Sequence, residues 1–328
     1  MQMLQNLFCF LFLNGLFLLP VVAQVKLPTA PPIQIILDTD MDSDVDDAGA
    51  LAMLHSYEKL GLATILGIIV TSDDAHSAPC TKAITTYFGR GEIPIGVSQR
   101  DSLLSFSRYT KQVAAEFPTD LATNADAEDG TVVYRRLLAN APDGSVVILT
   151  IGHLTSLSRL LNSPPDSISD LNGKDLVAKK VTRWSCMGGQ YPSGKEANFY
   201  RPDPASTVDC LAQWKLPVTF AGWEVGQQLV TGGADFKAKA TENSPVYRAY
   251  SLYNNFKGRA SWDQVSVLEA VEGVEPYFER VTEGQCVVAS DGSNTWQAPA
   301  NGLHGYLRMK APTEVIRKRI DDLMLGNF

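Results

Sequence analysis

Lysine and arginine nowhere cluster in this chain, and its formal net charge is −8 at pH 7. Nucleic acid and anionic membrane are thereby excluded as partners, since either rewards a concentrated basic face. The four histidines and five cysteines are few, and the cysteines fall at wide, irregular intervals that rule out a zinc ribbon. No Gly/Ser-rich or Pro-rich linker divides the chain and no internal repeat is visible, so one large domain is the simplest organisation. Charge is also missing from Met1 to Ala23, where apolar runs from Leu7 to Leu13 and Leu16 to Val22 end in Val21-Val22-Ala23. Small residues three and one before a break suit signal peptidase, although the n-region lacks its usual Lys or Arg. Interruption by Asn14-Gly15 and Pro20 argues against a membrane anchor. The expectation is a cleaved export signal over 1–23, a periplasmic or extracellular destination, no membrane contact after cleavage, and a single domain over 24–328. Cys9 leaves with the signal, and Cys80, Cys186, Cys210 and Cys286 remain. An even number in an exported chain allows up to two disulfides, and free buried thiols fit a domain of this size equally well.

What the chain has in excess is carboxylate at one place. Ile35-Ile36-Leu37 breaks into Asp38, Asp40, Asp42, Asp44, Asp46 and Asp47, six acids in ten residues. Like charges that close need a cation, a helix N-terminus or free solvation. Pro32 to Leu37 reads as a buried strand and Ala48 to Leu54 as a helix, so the acids occupy the loop at a strand's C-terminal end, where open α/β sheets bind ligands. A charge run is usually a solvated turn, but the rigid elements on both sides favour a metal site here. Oxygen donors in this number suit Ca²⁺ or Mg²⁺ better than zinc. An EF-hand is excluded: counted from Asp38, Asp40 or Asp42, the sixth position is never Gly, and the twelfth is Gly49, Leu51 or Met53.

Strand and helix patterns then alternate. Thr64–Val70, Ile93–Val97, Val146–Ile151, Lys180–Trp184 and Pro217–Ala221 read as strands; Ala78–Tyr87, Thr131–Asn140, Thr155–Leu161 and Ser261–Val271 read as helices. This predicts an α/β fold, a mostly parallel Rossmann-like sheet flanked by helices. Ser102 to Asp129 reads as a surface excursion. Gln285–Ala289 and Gly305–Met309 read as a small C-terminal β-hairpin ahead of a helix over Thr313–Leu325.

Asp38-Thr39-Asp40, Asp46-Asp47-Ala48 and Ala50-Leu51 resemble the DxDxGxDDAxAL signature of the inosine-uridine preferring nucleoside hydrolase family. The loop is two residues longer than the common form, and Asp42 stands at the usual Gly. Further blocks follow in family order. Val146 to Ser156 is similar to the strand and TGPLTN turn, Trp184 to Gly189 to the MGG segment, and Glu196-Ala197-Asn198 through Asp203-Pro204 to the E-F-N…D-P block. A carboxylate and a carboxamide two apart on an extended segment point to one side and suit neighbouring hydroxyls. Trp262-Asp263-Gln264-Val265 stands where the family has His-Asp-Pro-Leu. Asp74 stands for an Asn beside the ribose, and a register shift of one admits Asp73 instead.

The resemblance implies the nucleoside hydrolase fold and a calcium-dependent hydrolase that cleaves the N-glycosidic bond of a ribonucleoside or related ribosyl compound. It implies Ca²⁺ on Asp40, Asp47, Asp263 and the Ile151 carbonyl, with Asp40 also the general base toward water. Asp46, Asp74, Glu196 and Asn198 would hold the sugar, Met187 would lie against it, and Trp262 would stack on the leaving group. Relatives are commonly dimers or tetramers. Trp262 replaces the His that protonates the departing base, and indole is no general acid. His76, His153 and Tyr191 are then the candidates, with His55 and His304 set aside. Two other readings stand: an exported nucleoside- or sugar-binding protein that has lost turnover, and a Mg²⁺-dependent phosphatase using Asp38 and Asp40, which Asp42 disfavours because that family wants Thr or Val there.

Overall fold

The computed structural model describes residues 30–98 and 104–327. The leader expected over 1–23, with Cys9, lies outside them. Nine strands form the central sheet, numbered in chain order: β1 Ile33–Thr39, β2 Ala63–Val70, β3 Ile95–Val97, β4 Glu128–Asp129, β5 Val146–Thr150, β6 Val181–Met187, β7 Val218–Ala221, β8 Phe278–Val281 and β9 His304–Met309. Their order across the sheet is β8-β9-β7-β6-β5-β1-β2-β3-β4. Every adjacent pair is parallel except β8 with β9. The architecture is the mostly parallel, helix-flanked sheet that the alternation of strands and helices predicts.

Strand β1 lies between β5 and β2, which explains its unbroken apolar run: covered on both faces, Ile35, Ile36 and Leu37 are fully buried. Because the chain leaves β1 toward β2 on one side while β5 and β6 extend the other, the crevice beyond the carboxyl end of β1 is a topological switch point. The helix that follows, Asp46–Lys59, is buried from Asp46 through Tyr57. A helix buried on all sides shows no amphipathic stripe, and this one is covered by the helices Trp262–Glu272 and Thr313–Leu325. Gly49 permits that approach, since a Cβ there would stand 2.5 Å from Gln264 Nε2 and 2.6 Å from the Tyr250 hydroxyl.

The expected C-terminal hairpin has a different partner. Gln285–Val288 pairs antiparallel with Asn294–Gln297, which also meets Ser193–Gly194, whereas His304–Met309 enters the central sheet between β7 and β8. Alternation marked both as strands but carries no information about which strand each one meets. The C-terminal helix spans Thr313–Leu325 as expected. Nor is the region before Asp129 only a surface excursion: it contains the helix Thr110–Glu116, and Tyr109 is buried with its hydroxyl donating to the Asp44 carbonyl at 2.7 Å. Cys80, Cys186, Cys210 and Cys286 are all buried and free. Among the described residues no helix is long and apolar enough to cross a membrane.

Candidate active site

A cavity of about 540 Å³ opens at the carboxyl edge of the sheet. Asp40 follows β1, Ile151 follows β5, Met187 ends β6 and Trp223 follows β7, and all four line it. The acidic loop is held from beneath by Met41 and Val45, both fully buried. From the other side Gly152 presses on it, since a Cβ there would stand 2.6 Å from the Asp40 amide nitrogen. The acids are thereby fixed on a rigid floor.

Each carboxylate has a distinct surrounding. Asp47 accepts from the Thr39 hydroxyl. Asp42 accepts from the Ser72 hydroxyl at 2.6 Å and from the Ser43 amide. Asp44 accepts from the Tyr253 hydroxyl at 2.8 Å and from Arg259 Nη2 at 2.5 Å. Asp46 and Asp47 open one helix and Asp263 lies in the first turn of another, so two helix N-termini face the same point and offset part of the repulsion. One oxygen each of Asp46, Asp47 and Asp263 lie within 4.8 Å of one another, and the three residues are only 3–4% exposed.

Burial and mutual repulsion raise these acids' pKa values together. Asp40 is held well above the carboxylate range by desolvation, then by Asp47 and the other loop acids. Asp47 and Asp263 are likewise held high, by burial first and by Asp46 next. Burial pushes Asp46 to about 7, with Arg259 opposing. Three buried carboxylates sharing one small volume, with all-oxygen donors, fit a hard divalent cation. Asp46, expected at the sugar, thus belongs to this trio beside Asp47 and Asp263, while Asp40 and Ile151 line the same cavity.

Glu196 and Asn198 both line the cavity, though not from an extended segment. Glu196 is the N-cap of the one-turn helix Ala197–Tyr200. Its carboxylate accepts from the Asn198 amide at 2.9 Å and the Gly189 amide at 3.0 Å, which fixes its orientation, and burial pushes its pKa to about 7. Asn198 Nδ2 donates to the Ile151 carbonyl at 3.2 Å and reaches Met187 Sδ at 3.1 Å, tying the β5 turn to the end of β6. Trp262 also lines the cavity, its indole N–H donating to the Trp223 carbonyl at 2.9 Å.

Asp74 is not at the cavity wall. It is fully buried, and its carboxylate accepts from the amides of His76, Phe106 and Ser107 and from the Thr110 hydroxyl, organising the segment before Thr110–Glu116. Its neighbour Asp73 lines the cavity instead. Of the candidate acids, His153 is at the wall; burial pushes its pKa down to about 4, leaving it neutral at pH 7. His76 is not among the lining residues, and Tyr191 is packed in the core, stacked on Tyr306 at 4.7 Å. Trp223, Arg259 and Phe106 line the cavity without having been anticipated. Trp223 carried a usable signal, since it follows a strand that ends at this edge.

A family model for inosine-uridine preferring nucleoside hydrolases matches residues 35–313. No curated protein matches the chain by sequence. Among solved structures, the fold is similar to an inosine-uridine preferring nucleoside hydrolase from Bacillus anthracis, with TM-score 0.65, 16% identity, and coverage of 90% of this chain and 99% of that one. It is similar to an inosine-guanosine nucleoside hydrolase at TM-score 0.66 and 17% identity, covering 89% and 98%. It is also similar to the type III effector protein XopQ complexed with adenosine diphosphate ribose, at TM-score 0.68 and 14% identity, covering 90% and 94%.

Proposed function

The chain belongs to the inosine-uridine preferring nucleoside hydrolase family, whose members hydrolyse N-ribosyl bonds, and from that premise we propose a Ca²⁺-dependent ribonucleoside hydrolase with Asp40 as general base. The observation that carries this reading is the meeting, in one cavity, of the buried Asp46–Asp47–Asp263 trio with Asp40 and the Glu196–Asn198 pair. Asp47, Asp263, Asp46, Asp40 and the Ile151 carbonyl are the groups that would hold the ion. Bound there, Ca²⁺ supplies positive charge that lowers the pKa of water and gathers ribose hydroxyls.

The chain's own residues do the rest. Asp40, immediately after β1 and on the cavity wall beside the ion's place, takes the proton of the attacking water. Glu196, oriented by two backbone amides and retaining lone pairs, accepts from a sugar hydroxyl while Asn198 meets its neighbour. These bonds tighten as the sugar gains oxocarbenium character, which is differential binding of the transition state. Trp262 offers a ring face and no proton, because its N–H is committed to Trp223. Substrates with good leaving groups therefore react fastest, and equal rates on inosine and on a nitrophenyl riboside would contradict this.

The substrate is a ribonucleoside or related ribosyl compound, acted on by an exported single-domain enzyme after loss of its leader, as a dimer or tetramer. Assaying ribose release from inosine, uridine and a nitrophenyl riboside, with Ca²⁺ or with chelator, tests the chemistry. Sizing the secreted protein and sequencing its N-terminus test the rest.

A further inference from the structure

Eight of the twenty residues lining the cavity are carboxylates, and only Arg201 and Arg259 are cationic. A leaving group that departs with the bonding electron pair and no proton would be repelled by that lining unless a cation met it. Arg201 is exposed, with its guanidinium 5.4 Å from the Tyr200 ring centroid. Arg259 is placed differently. It pairs in a two-stranded ladder with Thr231, and the adjoining Ser261 and Thr231 hydroxyls lie 2.7 Å apart, so its backbone is fixed. Its guanidinium lies 4.6 Å from the ring centroid of Trp262. Its Nη2 donates to Asp44, while its Nε is buried with no partner among the described residues. The charged and titratable groups facing it are Asp44, Asp46 and Tyr253.

We propose that Arg259, anchored by Asp44 and stacked on Trp262, binds the leaving group and stabilises it as an anion, so that this enzyme selects substrates whose departing group leaves as an electron-rich oxoheterocycle or phenolate. In the step, the bond from C1′ to the leaving atom breaks and its electron pair stays with the leaving group. Water oxygen bonds to C1′, Asp40 takes the water proton, and the anion acquires its proton from solvent after release. Arg259 gives up no proton, as its basicity requires. The lengthened acidic loop thereby acquires a role: it carries Asp44, the acid that holds the guanidinium at the wall.

This inference rests on the reading of the cavity as a ribosyl hydrolase site, and two measurements separate the failure of either. The first is turnover of phenyl ribosides of graded leaving-group acidity with Ca²⁺, by wild type and Arg259→Gln. The expected result is a steeper dependence in the variant, with about 10²-fold loss on the poorest leaving group and at least tenfold less on nitrophenyl; parallel loss across the series would overturn the proposal. Retention of Ca²⁺-induced stabilisation by Arg259→Gln shows that its fold is intact. The second needs no turnover: calorimetric binding of 4-nitrophenolate against neutral 4-nitroanisole to the Ca²⁺-loaded protein. A tenfold or greater preference for the anion, lost in Arg259→Gln, supports the assignment, and no preference in wild type overturns it. Absence of turnover with the anion preference intact would refute the hydrolase reading alone.

Discussion

The indole N–H of Trp262 donates to the carbonyl of Trp223 at 2.9 Å, so the two tryptophans that line the cavity are bound to each other through a backbone acceptor. The bond holds the Trp262 ring at the wall and removes its one polar hydrogen from any role toward substrate.

Trp262→Phe should keep a ring face but forfeit that bond, costing about 1 kcal/mol of stability and little in KM. Trp262→Ala should raise KM for an aromatic nucleoside by tenfold or more, because base stacking on an aromatic ring contributes roughly 1–3 kcal/mol. Comparing KM for the two variants with their melting curves separates the ring's contribution from the anchor's.

Removing the ion should expose the cost of the acidic floor. Burial sets the pKa of Asp46 and of Glu196 at about 7, above their unfolded values of 3.8 and 4.5. The ion-free fold therefore binds more protons than the unfolded chain between about pH 4 and 7, and loses stability as pH rises through that window. His153 and His304, each pushed down to about 4 by burial, oppose this below pH 6.5. The melting temperature of chelated protein should accordingly rise from pH 7.5 to 6.5, and the increment from adding Ca²⁺ should be larger at pH 7.5 than at pH 5.5.

Asp263→Asn should divide stability from activity. Removing one of three crowded charges should stabilise ion-free protein at pH 7.5 by about 1 kcal/mol, roughly 2–4 °C in a chain of this size. The same change should abolish the Ca²⁺-induced increment and reduce turnover by at least about 10³-fold. Paired melting curves with and without Ca²⁺ check both signs.

Gly49→Ala should destabilise the fold by about 1–3 kcal/mol, because the helix Asp46–Lys59 cannot approach Gln264 and Tyr250 with a methyl between them. Asp46 and Asp47 begin that helix, so Ca²⁺ affinity should fall as well. Chemical denaturation and a calcium titration read the two effects.

The site was legible where chemistry and sequence position coincide. Asp40, Asp47, Glu196, Asn198 and Asp263 lie at strand ends or helix starts within recognisable blocks, and each reaches the cavity. The strands β1, β2 and β5 were readable because both faces are buried, which demands continuous apolar runs. Asp73 and Asp74 could not be told apart, since one residue of register reverses which side chain reaches the cavity. Arg259 was invisible because its placement depends on a ladder with Val230–Thr231 and on Asp44, more than two hundred residues away. The partners of Gln285–Val288 and His304–Met309 were hidden for the same reason: period-2 alternation marks a strand and is silent about its neighbour.

The most direct test of a divalent-ion-dependent N-ribosyl hydrolase with Asp40 as base is ribose release from inosine and uridine, measured for wild type with Ca²⁺, wild type with chelator, and Asp40→Asn with Ca²⁺. The account predicts release in the first case and a fall of at least about 10³-fold in the other two. Release that persists at an unchanged rate with chelator, or in Asp40→Asn, would contradict it.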